Sequence, residues 1–374
     1  MAGDRFGHIY SLSTFGESHG PGIGGVIDGC PPGHAFDEEG IRGQLARRRP
    51  GQSKISSQRK EGDDVEFLSG IFEGKTSGTP IAFLIRNKDA KAKDYEHLRD
   101  IYRPSHADLS YEQKYGIRDH RGGGRSSARE TASWVVAGTL ATSILEEQGV
   151  RVRAYVSGVG ELDLQKLYKG MDTEVLDENP IRCPDPEMAE RMEERIRELR
   201  KEGDTVGGVV TCVVEGMPSG LGEPVFEKLD ARLGQAMMSI NAAKGVEFGS
   251  GFEGTRMKGS EHNDPIEGDE EELRVTGDRS GGVQGGISTG APLIFRVAFK
   301  PVATLMQDQK TVDRNGEERV LKGKGRHDPC VVPRAVPVVE SMTGMVLMDA
   351  MLIQKGREAM MGPYARSSPS KKSS

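Results

Sequence analysis

Arg118-Asp-His-Arg-Gly-Gly-Gly-Arg-Ser-Ser-Ala-Arg-Glu-Thr131 is the stretch around which the chain is organised. It holds four arginines (Arg118, Arg121, Arg125, Arg129), His120 and three consecutive glycines. Gly122, Gly123 and Gly124 carry no Cβ, so the main chain there can bring its N–H groups close to a ligand. Ser127 and Glu130 have the Ser-x-x-Glu spacing of a capping box. Residues 128–147 are rich in helix formers and stop before Gly149, which predicts a helix. A helix N-terminus offers N–H donors and a positive dipole end to an anion. Arginines add charge-assisted hydrogen bonds. The stretch therefore predicts a phosphate or carboxylate site. The bland alternatives are a solvated Gly-Arg turn and a disordered RNA-binding segment. Trp134, Val135 and Val136, in the helix joined directly to the loop, argue against disorder.

The whole-chain composition narrows the choice. The 374 residues can bury a large core. A net charge of −6 disfavours a general nucleic-acid binder. Basic charge gathered locally in an acidic protein suits a small anionic ligand. Cys30, Cys183, Cys212 and Cys330 are widely spaced and form no Cys-x-x-Cys pair. Neither a metal site nor a disulfide framework is expected, and a reducing cytoplasm fits. No apolar run is read as long enough to span a membrane, and no signal-peptide pattern is found.

Working outward, Gly16-Glu-Ser-His-Gly20 places His19 between small residues, where an accessible imidazole can donate a proton. Asp37 precedes a predicted helix over 38–48, with Ile41 and Leu45 on one face. The helix runs into a basic cluster of Arg47, Arg48, Arg49, Lys54, Arg59 and Lys60, broken by Pro50-Gly51. Dipole matching alone does not need so many cations, so a second anion-binding segment is expected. Strands are expected at 65–68 and 80–86, and an exposed loop or short helix at 89–100. His106 follows a proline turn, with Asp108 close enough to orient it.

Beyond the central helix, a strand is expected at 150–159, an irregular stretch at 161–185 and an amphipathic helix at 186–201. Met188, Met192, Ile196 and Leu199 in that helix read as core packing. A strand over 206–215 and a helix over 229–240 follow. A glycine-rich mobile stretch is expected at 249–259 and an acidic surface loop at 261–272. Glycines 281–286 open onto a strand over 292–299, followed by an exposed hairpin tip at 314–324. Asp328 sits between His327 and Pro329, a setting that also suits a plain Asp-Pro turn. An apolar helix is expected over 336–354. Residues 361–374 end in a Ser/Lys-rich run and are expected to be a disordered tail, and the rest has the length of one large domain or two. No internal repeat, Walker loop or strand-linked Gly-x-Gly-x-x-Gly is present. Pattern alone therefore gives a mixed α+β fold with glycine-rich loops converging on one active site.

Several motifs occur together and in order. They are Gly16–Gly20, Arg47-Arg-Arg-Pro-Gly51, residues 103–108, Gly124-Arg-Ser-Ser-Ala-Arg-Glu-Thr131, Ser239-Ile-Asn-Ala242 and Gly325-Arg-His-Asp-Pro329. This combination resembles the chorismate synthase family over nearly the whole chain. The resemblance implies helices sandwiched between antiparallel β-sheets (a β-α-β sandwich) and a homotetramer. It implies a lyase of the shikimate pathway that eliminates phosphate from 5-enolpyruvylshikimate 3-phosphate and requires reduced FMN. An external source of reduced flavin, a cytoplasmic location, no metal and no nucleic-acid partner are implied with it.

Carried over by matching motif, the FMN contacts are Arg125, Ser126, Ser127, Asn241, Ala242, Gly285, Lys300, Pro301, Val302, Ala303, Thr304 and Arg326. His19 and His106 match the proposed acids, and Asp328 the group that helps remove a proton. Arg48, Lys54, Arg59 and Arg129 fall in the substrate or NADP region. Lys54 stands where the family often has arginine, and a bidentate contact is not available to it. Two other functions remain to be separated. A flavin oxidoreductase would consume reductant with each turnover, and an RNA-binding module would show salt-dependent binding of RNA.

Overall fold

The computed structural model describes residues 3–51, 62–88, 96–164, 175–269, 273–323 and 328–362. Two five-stranded antiparallel sheets enclose a layer of helices. In the first sheet the order is Arg5–Phe6, Ser11–Gly16, Gly22–Asp28, Ile81–Arg86, Val65–Phe67. In the second it is Ala243–Phe248, Leu293–Phe299, Gly208–Glu215, Arg151–Val159, Leu162–Asp163. Gly208–Glu215 is central, with partners on both sides, and is buried from Val210 to Val214. This explains its apolar character on both faces.

Helix α1 (Glu38–Arg48) forms where expected. The Asp37 carboxylate accepts from the Gly40 N–H at 2.8 Å, Glu38 and Glu39 occupy the first turn, and Arg47 and Arg48 the last. Both termini thus match the helix dipole. Helix α2 (Asp108–Tyr115) is short. Helix α3 (Thr131–Glu147) packs on the first sheet, where the Tyr10 hydroxyl donates to Ala137 O at 2.7 Å. Helix α4 (Pro186–Glu202) buries Met192, Ile196 and Leu199 and ends at Gly203 in the left-handed conformation (φ 74°). Helix α5 (Leu229–Ser239) and a four-residue helix, α6 (Gly259–His262), precede the last helix, α7 (Val332–Met360), which lies against the second sheet.

Helices α3 and α7 form the middle of the sandwich. A Cβ on Gly138 would stand 2.3 Å from Ser341 Cα, so only glycine permits this approach of the two backbones. Leu140, Ile144, Val336, Val339 and Leu347 fill the surrounding core. The fold is thus the sandwich that the family resemblance implied.

Several local expectations differ. The last helix spans Val332–Met360 rather than 336–354, passing through Pro337 and Gly356. Burial on nearly every side from Val332 to Asp349 sustains the helix through Pro337, whereas Gly356 lies in its exposed last turns. The helix is also long and apolar enough to cross a membrane, contrary to the sequence reading, but most of it is buried within the protein. Residues 261–272 are not simply a loop, because Ile266–Gly268 pairs with Leu273–Val275. Within 249–259, Gly251–Arg256 is a 3₁₀ turn. The expected hairpin at 314–324 is present, with Gln309–Val312 pairing with Glu318–Leu321. The tail beyond residue 362 and much of the 89–100 segment lie outside the described residues.

Candidate active site

Arg118, Asp119 and residues 122–126 line one wall of a cavity of about 520 Å³, shared with Glu17, His106, Asp108 and Tyr111. That volume is within the usual range for small-ligand sites. The local geometry of the wall departs from the expected capping box. Two 3₁₀ turns, Gly124–Ser126 and Ala128–Glu130, precede α3. The Ser127 hydroxyl accepts from Arg129 N, while the Glu130 carboxylate turns away to Arg125. An ion pair has displaced the reciprocal cap, and the helix starts at Thr131 rather than 128.

The four arginines of the stretch are not an open cationic surface. Arg118 Nη1 lies 3.3 Å from Asp108, and Arg121 Nη2 lies 2.6 Å from Asp119. Arg125 binds Glu130 at 2.6 Å and Asp4 at 2.7 Å, with further bonds to Thr14 Oγ1 and Gly16 O. Burial alone would lower the Arg125 pKa, but Asp4 and Glu130 outweigh it and raise it. Arg129 pairs with the buried Asp63.

Asp63 is the hub of a second cluster. Its side chain is fully buried and also receives Arg48 Nη2 at 2.6 Å. Burial alone would raise the Asp63 pKa, but Arg48 and Arg129 hold it below the ordinary carboxylate range. Burial pulls the Arg48 pKa down despite Asp63, and Arg334 and Arg129 add to that. Arg334 donates to Arg48 O at 2.9 Å and pairs with Asp328. Among the described residues, three guanidiniums here face two carboxylates. Neither Asp63 nor Arg334 was singled out in the sequence, where nothing marks them as partners of residues so distant.

His106 and His19 stand on opposite flanks of the glycine stretch. Asp108 Oδ1 lies 3.0 Å from His106 Nδ1 and also takes Arg103 at 2.7 Å. Burial would raise the Asp108 pKa, but Arg103 and His106 drive it well below the ordinary range, so this carboxylate is fixed as the partner of His106. His19 Nδ1 is 2.9 Å from Ser18 Oγ. Its ring packs directly over Gly122, where a Cβ would come within 1.9 Å of Nδ1. The glycine thus admits the imidazole as well as freeing the backbone.

On the other side, the Asn241 amide donates to Ser126 O at 2.9 Å, and Ala242 O accepts from Lys300 N at 2.9 Å. Val302 O accepts from the Thr205 hydroxyl at 2.9 Å. Asp63, Ser105 and Ala242 are three of the five non-glycine residues with positive φ among the described residues. Backbone strain of this kind costs about 1–3 kcal/mol each and gathers at functional sites.

The structure thus places His19 over Gly122, Asn241 against Ser126 and Lys300 against Ala242, while Val302 is held by Thr205. It brings His106 to the cavity and sets Arg48, Arg129 and Asp328 beside Asp63. Gly285 is apart: its neighbour Gly286 accepts from Leu229 N, at the opposite end of α5 from Asn241. An eleven-residue helix separates the two by about 16 Å at the usual rise per residue. Lys54, Arg59 and Arg326 lie outside the described residues. Among the described residues no group of three or more metal-ligating side chains converges.

The chorismate synthase family model matches residues 10–352. The chain belongs to the chorismate synthase family. It is 61% identical to the chorismate synthase of Christiangramia forsetii, over 95% of this chain and 99% of that one. It is 56% identical to the chorismate synthase of Parabacteroides distasonis, with the same two coverages, 95% and 99%. A solved structure, a crystal structure of chorismate synthase, superposes with a TM-score of 0.76 at 33% identity, covering 94% of each chain. The reaction is the 1,4-anti-elimination of phosphate from 5-enolpyruvylshikimate 3-phosphate to chorismate, the seventh step of the shikimate pathway. It is a carbon–oxygen lyase reaction on a small-molecule substrate, served by a flavin and involving no net redox change.

Proposed function

We propose that residues 1–360 form one catalytic domain, that the flavin is FMN in its reduced form, and that it lies along Arg125, Ser126, Ser127, Asn241, Ala242 and residues 300–304. The observation that carries this reading is Asn241. Its Oδ1 is buried without a hydrogen-bond partner among the described residues, while its amide holds Ser126 O. An unpaired buried acceptor costs about 1–3 kcal/mol, and a ligand N–H or hydroxyl would remove that cost. An N–H or hydroxyl of a flavin ring or its ribityl chain is chemically suited to that acceptor.

Arg48 and Arg129 take the substrate's phosphate or carboxylates, or a nucleotide phosphate, with Lys54 and Arg59 in the same role. The guanidiniums of Arg48 and Arg129 are already aimed by Asp63. Such preorganised charge is worth most where the leaving group gains negative charge. His19 and His106 donate protons or hydrogen bonds to developing negative charge, and Asp108 holds the His106 ring. The Asp328 carboxylate, aimed by Arg334, assists removal of the ring proton while the C–O bond to phosphate breaks. A reduced flavin held by these residues would lend electron density to that bond cleavage and take it back, so the electrons would balance without an external acceptor.

The working assembly is a homotetramer in the cytoplasm, with flavin reduced by a separate enzyme. The four cysteines are buried free thiols, which suits a reducing compartment. Strongly exposed Phe226 and Phe252 suit subunit contacts. In such an assembly Gly285 would serve the flavin of a neighbouring subunit.

Titration of FMN against Asn241→Ala tests the carrying observation. Affinity is expected to fall about 10-fold, the scale of one net hydrogen bond to a buried group. Unchanged affinity would remove Asn241 from the flavin site.

A further inference from the structure

Asn87, the residue after the strand Ile81–Arg86, is unaccounted for by the reading above. Its amide nitrogen donates to two main-chain carbonyls, Glu17 O at 2.8 Å and Gly20 O at 2.8 Å. These bracket His19. Its amide oxygen accepts from Arg129 Nε at 3.0 Å. The Asn87 N–H adds a bond to Pro21 O at 3.1 Å. The orientation of the amide is fixed by this network. A flipped amide would set its oxygen against two carbonyls and its N–H groups against a guanidinium. Of the uncharged side chains, an amide of this length is the one that can donate twice and accept from a cation at the same time.

We propose that Asn87 is a positioning residue that couples the loop carrying His19 to the anion subsite formed by Arg48, Asp63 and Arg129. The physical chain is short. Asp63 fixes one end of the Arg129 guanidinium, and Asn87 fixes its Nε. The same amide clamps both ends of the Glu17–Gly20 turn. The imidazole and the guanidinium are therefore held at one relative distance by a single planar group. A substrate whose anion rests on Arg129 then meets the proton donor in register. Small misplacement of such groups costs far more rate than stability. The proposal rests on the roles assigned above to His19 and Arg129, and goes beyond them by naming what ties the two together.

Two double-mutant cycles test it, read by anaerobic phosphate release with reduced FMN, with thermal melts to confirm folding. Asn87→Ala alone is expected to lower kcat about 10-fold and to raise KM about 3-fold, both within the range for losing one or two net hydrogen bonds. In a His19→Ala background the same change should leave kcat within about 2-fold, and in an Arg129→Ala background it should leave KM within about 2-fold. A residue that merely supports the fold would instead multiply in by the same factor in every background, and that result overturns the proposal. If Asn87→Ala does not fold, Asn87→Ser carries the same cycles with a smaller polar group. The two levels of failure are distinct. His19→Ala or Arg129→Ala with wild-type kinetics overturns the role of that residue. Impaired single variants with additive cycles overturn the coupling through Asn87 alone.

Discussion

The contact between α3 and α7 and the charged rim at the start of α3 are held by opposite physics, a few turns apart on one helix. At the contact, apolar side chains are packed so closely that Gly138 admits no Cβ beside Ser341. At the rim, Arg48, Arg129 and Arg334 crowd around Asp63 and Asp328, with charge rather than volume setting the arrangement. The first kind of packing tolerates little change of shape. The second tolerates little change of charge, because removing one partner strands the others in a desolvated place. The difference teaches why one helix can serve both layers: its middle is spent on the fold and its start on the ligand.

Removing the central carboxylate attacks the rim most directly. Asp63→Ala is expected to cost about 3–5 kcal/mol in urea unfolding, the range for breaking a buried ion pair by one partner. The wild-type contribution has a defined pH dependence. The folded pKa of Asp63 is depressed, so its contribution is full above the unfolded value and is lost as pH falls through the folded one. The variant should therefore show a flatter acid limb than the wild type. A cost under the surface-pair range of about 1 kcal/mol would show that the cluster is not the buried network described here.

The contact has its own test of sign. Helix propensity alone makes Gly138→Ala stabilising by about 1 kcal/mol. Packing against Ser341 makes it destabilising by about 1–3 kcal/mol. With a would-be Cβ 2.3 Å from Ser341 Cα, the net result is expected to be a loss of stability in a thermal melt. A raised melting temperature would mean that the two helices are not in this close contact.

The smallest expected effect on stability comes from the histidines, which belong to neither layer. His106→Ala and His19→Ala are each expected to lower turnover by about 10-fold or more, in the range for general acids, while leaving the melting temperature near that of the wild type. Near-wild-type kcat in either variant would make that histidine a loop residue.

The same contrast explains what the sequence disclosed. The core was legible because period and capping speak locally: Asp37 marks the start of α1, and Met192, Ile196 and Leu199 mark the buried face of α4. Helix α7 started earlier than read because its local breaker Pro337 is outvoted by burial that only the assembled sandwich supplies. At the rim, the family motifs marked His19, His106, Arg48 and Arg129, and the short spacing marked Asp108. Asp63 and Asn87 were invisible, since each acts on residues from distant segments. The predicted capping box failed for a related reason: Glu130 has a better partner in Arg125, five residues back, than in the backbone it was expected to cap.

The most direct test of the central claim is electron stoichiometry. Under anaerobic conditions, the full chain is mixed with an excess of 5-enolpyruvylshikimate 3-phosphate over a small amount of reduced FMN, and released phosphate is followed together with the flavin absorbance. Many phosphates per flavin are expected, with the flavin still reduced at the end. One flavin oxidised for each phosphate released, or no phosphate at all, would contradict an elimination without net redox change at this site.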